Sequence, residues 1–321
     1  VLPPNFEQTS DSLPLLIKLH GGGGDRSFLL NSMDIWESLW KKEELPPLVM
    51  ISFSSGPGSW YRGNWEKFVV DELPNWAAKK FNTRTDREGS LLTGVSMGGY
   101  GSLKIGFKYP ERFKAIAPME PAIEPSIHRE EGNKRNTWYR MEAMEEMTWG
   151  SPFDENAWLE DNPATIVSKN ADLIRNSGLD IYLEVGDKDY INLHDGAEYM
   201  HRILWDNDIR HEYHLVRWAD HVGLSMENRT KEAHRFLAAS LAGGLDEPTD
   251  LILSSEEKKY LDWVNGGMQR GEPDPSDGES LMHKDPKRAP TVHRGVWDPL
   301  KETAKNDPEM ERAYAKLPPT K

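Results

Sequence analysis

Short runs of apolar residues, four to six long and closed by turn residues, alternate along the chain with longer stretches whose apolar residues recur every three or four positions. The first pattern predicts buried strands and the second amphipathic helices; their alternation predicts a mostly parallel sheet with crossover helices. The strands expected are Leu15–Leu19, Leu48–Phe53, Ser90–Thr93, Ala115–Pro118, Ile181–Val185 and Tyr213–Val216. Helices are expected over Trp65–Phe81, Gly98–Tyr109, Gly196–Asn207 and Lys231–Leu241. No repeat recurs at a solenoid period.

Two stretches break the rhythm. Residues 120–179 separate two strands by far more than an ordinary connection, as lids and binding loops do. Between Glu120 and Asp161 acids exceed bases by seven, half of the net charge of −14 of the whole chain, and the same stretch holds Trp138, Trp149 and Trp158. It reads either as an acidic, aromatic cap-like insertion or as a solvated helical excursion with aromatic anchors. From about Gly243 onward Pro, Asp, Glu and Lys dominate, with apolar islands at Leu251–Leu253, Tyr260–Val264 and Val296–Trp297. A helix is expected over Ser254–Val264. The rest is expected to form an extended tail wrapped on the body of the protein, because a free tail has little use for Trp263 and Trp297.

With 321 residues, 37% hydrophobic and 29% charged, the chain can bury a full core, which excludes fibrous and wholly disordered classes. The acidic balance and the lack of a Lys/Arg track argue against nucleic acid and anionic membranes as partners. No apolar stretch approaches the roughly 18 residues needed to span a bilayer. The absence of Cys removes disulfides, thiolate nucleophiles and Cys-ligated metals, and leaves the redox compartment open. The first residue is Val, and Val1–Phe6 reads as the end of a strand running into a turn. A piece cut off upstream is therefore expected, and a removed signal peptide would make the protein an exported one.

Gly94-Val95-Ser96-Met97-Gly98 fits G-x-S-x-G, directly after a predicted strand and directly before a predicted helix. A turn that tight demands small neighbours, which Gly94, Gly98 and Gly99 supply, and holds the serine strained with its hydroxyl exposed. A bare five-residue match is common by chance; strand before and helix after make it specific. A serine needs a base to take its proton and N–H donors for the oxyanion. Leu19-His20-Gly21-Gly22-Gly23-Gly24 follows an apolar strand, so Gly22 or Gly23 is the expected loop donor and the N–H of Met97 the second.

In such elbows the acid and then the histidine follow the serine along the chain. Gly186-Asp187-Lys188-Asp189 closes one strand and offers two acids; Asp189 is preferred because Gly-x-x-Asp leaves room for a turn that points the carboxylate inward. His221 follows the next strand in a loop able to reach over the elbow, whereas His211 and His214 lie at or within that strand, where histidines are ordinarily structural. Trp60 and Tyr61, in a loop expected to cross the top of the sheet, are candidates to line the substrate pocket, together with His20. Asp187, Asp189, His194 and Asp195 resemble a metal cluster only until Asp189 is assigned to the serine, so no metal and no other cofactor is called for.

These stretches resemble the esterase D-like branch of the α/β-hydrolases, which includes feruloyl and acetylxylan esterases, S-formylglutathione hydrolases and mycolyltransferases. The likeness lies in Pro14–Gly24, Trp65–Phe68 with Asp71–Trp76, Gly94–Leu103, Gly186–Asp189 and His221–Gly223, in the family's order. It implies the α/β-hydrolase fold, a mostly parallel central sheet flanked by helices. Residues 1–243 would form the catalytic domain with its cap-like insertion; 244–321, a C-terminal extension without a counterpart in the family, is a candidate surface for pairing of two copies. It also implies a Ser96–Asp189–His221 triad with Met97 and the glycine loop as oxyanion hole. The expected activity is hydrolysis of a small-molecule or polymer-end ester, neutral esters being preferred because the acidic stretch repels anions. Acyl transfer on the same scaffold and a noncatalytic binding module are the alternatives.

Overall fold

The computed structural model describes residues 1–127, 148–243 and 245. The expectations for Trp138 and most of the acidic insertion, and for the C-terminal extension, lie outside those residues. Six strands form one parallel sheet in the order β2-β1-β3-β4-β5-β6. They are β1 (Leu15–Leu19), β2 (Val49–Ile51), β3 (Ser90–Val95), β4 (Ala115–Met119), β5 (Asp180–Gly186) and β6 (Glu212–Val216). All six fall where the apolar runs predict them. Every residue of β1, β3, β4 and β5 is buried, as helices on both faces require, while β6 at the edge is half exposed.

The helices are α1 (Ser27–Leu30), α2 (Met33–Lys41), α3 (Asn64–Lys67), α4 (Leu73–Phe81), α5 (Met97–Lys108), α6 (Glu155–Asp161), α7 (Pro163–Ser177), α8 (Leu193–Asp206) and α9 (Met226–Leu241). Two cores result. One face of the sheet packs against α4, α5, α7 and α8, and the other against α2 and α9. The helix expected over Trp65–Phe81 is one helical run from α3 to α4 with a wide turn at Phe68–Glu72, where the Leu73 N–H bonds to the Phe68 carbonyl. Pro74 has no N–H to return to Val70, and the Val70 carbonyl is taken instead by Arg112 Nη2 at 2.7 Å.

The second half of the 120–179 stretch is helical. After α6, helix α7 is the crossover between β4 and β5, started by Asn162 and Pro163 and stopped by Gly178 in the left-handed region. Asp161, at the end of α6, ties this stretch to the body: it pairs with Arg62 (2.7 Å) and Lys108 (2.6 Å) and lies 3.7 Å from the buried Lys104.

Candidate active site

Ser96 lies in the turn between β3 and α5, where φ is 58° and ψ −115°. The strain is held by neighbours on both sides, since the Ser96 N–H bonds to the Met119 carbonyl and its carbonyl accepts the N–H groups of Tyr100 and Ala122. A Cβ on Gly98 would stand 2.3 Å from the Leu19 carbonyl oxygen, so only glycine lets α5 run this close to the end of β1. Met97 opens α5, and its N–H belongs to the first turn, which has no carbonyl one turn earlier to bond.

Ser96 opens into a cavity of about 560 Å³ whose wall also includes His20, Gly21–Gly24, Met97 and His221. Its apolar lining comes mainly from Phe28, Trp60, Tyr190, Ile191, Leu193 and Val222. Of the two glycines expected to serve an oxyanion, Gly23 already donates its N–H to the Pro57 carbonyl at 2.9 Å.

His221 is buried, and its Nδ1 donates to Asp189 Oδ2 at 3.1 Å. The other oxygen of Asp189 accepts the Ile191 N–H at 2.6 Å, and the Asp189 N–H closes the turn onto Gly186. Burial alone would raise this carboxyl, but the His221 contact and these donors hold it below its ordinary value. Asp187, the other acid of the turn, faces elsewhere and accepts the Trp218 N–H. His194 pairs loosely with Asp195 at 3.6 Å, His211 bonds to His201 of α8 and to the Ile209 carbonyl, and His214 bonds to Glu212 within β6.

The loop after β2 departs from expectation at one residue. Trp60 and Tyr61 both take positive φ, so that Trp60 faces the cavity while Tyr61 turns into the core. The Tyr61 ring fills the space left by the missing side chain of Gly101, and its hydroxyl donates to the His20 carbonyl at 2.9 Å. Tyr61 therefore supports the glycine loop from behind and is not part of the wall of this cavity. His20 borders the cavity, but both ring nitrogens are engaged: Ser55 N–H donates to Nε2 at 3.1 Å, and Nδ1 donates to the Gly21 carbonyl at 2.8 Å.

One ionisable group of the site went unread in the sequence. Glu120, at the carboxyl end of β4, is fully buried with Oε2 3.8 Å from His221 Nδ1, and its Oε1 accepts from Gly186 N and from Arg229. Its signal is position, the residue just past a strand end beside the elbow, although by composition it reads as one of the acids of the insertion.

Residues 1–222 match the family model Esterase, described as "Putative esterase". An esterase of Mycobacterium tuberculosis is 29% identical over 127 residues, 36% of this chain and 27% of that protein. An acetyl esterase of Caldicellulosiruptor saccharolyticus is 31% identical over 120 residues, 36% of this chain and 43% of that protein. The chain thus matches about a quarter of the first relative's length and less than half of the second's. A solved ferulic acid esterase superposes with a TM-score of 0.60 at 18% identity, over 74% of this chain and 90% of that one. That likeness carries the fold, which is the α/β-hydrolase fold. The matched stretch takes in the glycine loop, the elbow, the Asp189 turn and His221, and by it the chain belongs to the esterase family.

Proposed function

We propose that the chain is a serine carboxylic-ester hydrolase working through an acyl-enzyme. The observation that carries this reading is a strained serine opening onto the same cavity as a histidine whose Nδ1 rests on a buried aspartate. Ser96 Oγ attacks the ester carbonyl as His221 Nε2 takes its proton. The Met97 and Gly22 N–H groups face the oxyanion, and collapse expels the alcohol, which receives the proton from His221. Water, activated by the same imidazole, then releases the acid and restores Ser96. Asp189 fixes the imidazole with Nε2 toward the serine and stabilises its charged form.

The cavity wall of Phe28, Trp60, Tyr190, Ile191, Leu193 and Val222 favours a bulky apolar group on the substrate. The seven excess acids between Glu120 and Asp161 favour a neutral ester over an anionic one, an effect that salt screens. Initial rates on neutral p-nitrophenyl esters from acetate to laurate, with Ser96→Ala in parallel, test the reading. Turnover abolished in the variant supports it, and the chain-length optimum sizes the pocket. A wild type inert on every ester that still reacts at Ser96 with a phosphonate shifts the reading to acyl transfer. No reaction at Ser96 leaves a binding module.

A further inference from the structure

Four buried ionisable side chains meet behind His221. Glu120 leaves the end of β4 with φ 44°, Glu184 comes from β5, Asp189 from the turn after β5, and Arg229 from the first turn of α9. The Arg229 guanidinium bonds to Glu120 Oε1, to Glu184 Oε1 and, at 2.7 Å, to the Asp220 carbonyl. Glu120 Oε2 is different: it is buried, lacks a hydrogen-bond partner among the described residues, and faces His221 Nδ1 at 3.8 Å. Nδ1 carries one N–H, and that proton goes to Asp189. One oxygen each of Glu120 and Asp189 and a ring nitrogen of His221 lie within 4.8 Å of one another.

Two carboxylates sharing so small a buried space cannot both ionise at low cost, and the usual outcome is that one keeps its proton. A proton on Glu120 Oε2 also gives that oxygen the partner it lacks, because a carboxyl O–H can donate to the Asp189 carboxylate. We propose that Glu120 is a positioning residue for the base: its carboxyl shares one proton with Asp189, so that the pair presents a single negative charge to His221, while Arg229 holds the second carboxyl in place. This rests on the reading of Ser96 as nucleophile and His221 as its base. During attack the Ser96 proton moves to Nε2, the Nδ1–H stays on the ring, and the shared proton stays between the carboxyls.

The electrostatics agree. Burial pushes Glu120 up to about 7, against the pull of His221 and Arg229. Burial lowers His221, but its bond to Asp189 and the nearby carboxyls of Asp189 and Glu120 outweigh it and carry it to about 9. Glu184 adds repulsion from β5, His214 of β6 faces Glu184, and the Tyr190 ring meets His221 edge-on at 5.8 Å. Loss of the shared proton therefore sets a second negative charge beside the imidazole and makes it harder to deprotonate.

The test is the pH dependence of kcat/KM, and of the rate at which a neutral fluorophosphonate labels Ser96, in the full chain and in Glu120→Gln and Glu120→Ala. Gln donates to Asp189 as the carboxyl does but cannot ionise. Its acid limb is expected to follow a single ionisation and to move to lower pH by about one unit or more. Ala donates nothing, and its plateau is expected to fall at least about tenfold below that of Gln. A Gln profile that superimposes on wild type in both readouts overturns the proposal, as does an Ala plateau equal to that of Gln. Should Ala fail to fold, the Gln profile decides alone. Ser96→Ala distinguishes the two levels: turnover that survives it removes the serine reading itself, whereas its loss with an unmoved Gln profile removes only the role of Glu120.

Discussion

Replacing Arg229 by Met probes the same cluster through stability. Arg229 is 3% exposed and stands between two carboxyls, Glu120 and Glu184, that are each 0% exposed. Met keeps much of the length and removes the charge, which leaves both acids without their cation. Breaking a buried ion pair from one side costs about 3–5 kcal/mol. In a compact unit spanning Val1–Glu247, at about 2–4 °C per kcal/mol, that is a drop in Tm on the order of 10 °C. The pH dependence separates this cause from lost packing. Burial raises both carboxyls, Glu120 to about 7, so the folded state holds protons that the unfolded chain releases near 4.5. Stability therefore falls as pH rises through that window. For Glu120 in the wild type the fall ends near 7, where the folded carboxyl ionises. Without Arg229 the folded acids keep their protons further, and the loss continues at about 1.4 kcal/mol per pH unit for each retained proton. Urea unfolding of the full chain, followed by tryptophan fluorescence at pH 5, 7 and 9, measures it. The gap to wild type should be smallest at pH 5 and largest at pH 9. A loss under about 1 kcal/mol at pH 7, or a gap constant across the range, would refute the reasoning.

Three further outcomes are expected. Gly98→Ala puts a methyl 2.3 Å from the Leu19 carbonyl, and should cost about 3 kcal/mol in chemical denaturation and at least about 100-fold in kcat, because the elbow must shift. Asp189→Asn removes the carboxylate that orients His221 and should lower kcat on the order of 10⁴-fold with the fold intact by circular dichroism. Asp161→Asn should destabilise the protein by about 3 kcal/mol at neutral pH. Burial works to raise Asp161, but Lys104, Lys108 and Arg62 hold it below its ordinary value, so that stability is present above 3.8 and lost as pH falls through the lowered folded value. Thermal scans of variant and wild type should therefore converge in acid.

Much of the molecule is written in local pattern. The inner strands were legible because a strand buried on both faces is a continuous apolar run, and α5 because its apolar residues recur every three or four positions. The placement of Ser96, Asp189 and His221 each just past a strand end likewise needed no tertiary structure to read, and parallel sheets present side chains to ligands there. Helix α7 was missed although Asn162, Pro163 and Gly178 mark both its ends, because those marks lay inside a stretch read as one long insertion. Tyr61 and Trp60 are neighbours of the same character in sequence; only the left-handed backbone at both positions sends one into the cavity and the other behind the glycine loop. Glu120, Glu184 and Arg229 are as polar as any surface residue, and their spacing along the chain says nothing of their meeting. What the sequence determined is the set of elements and the residues that close the strands, because these follow from nearest neighbours. What only the tertiary structure decided is which charges lose their water together, because that depends on segments as far apart as 109 positions converging on one buried volume.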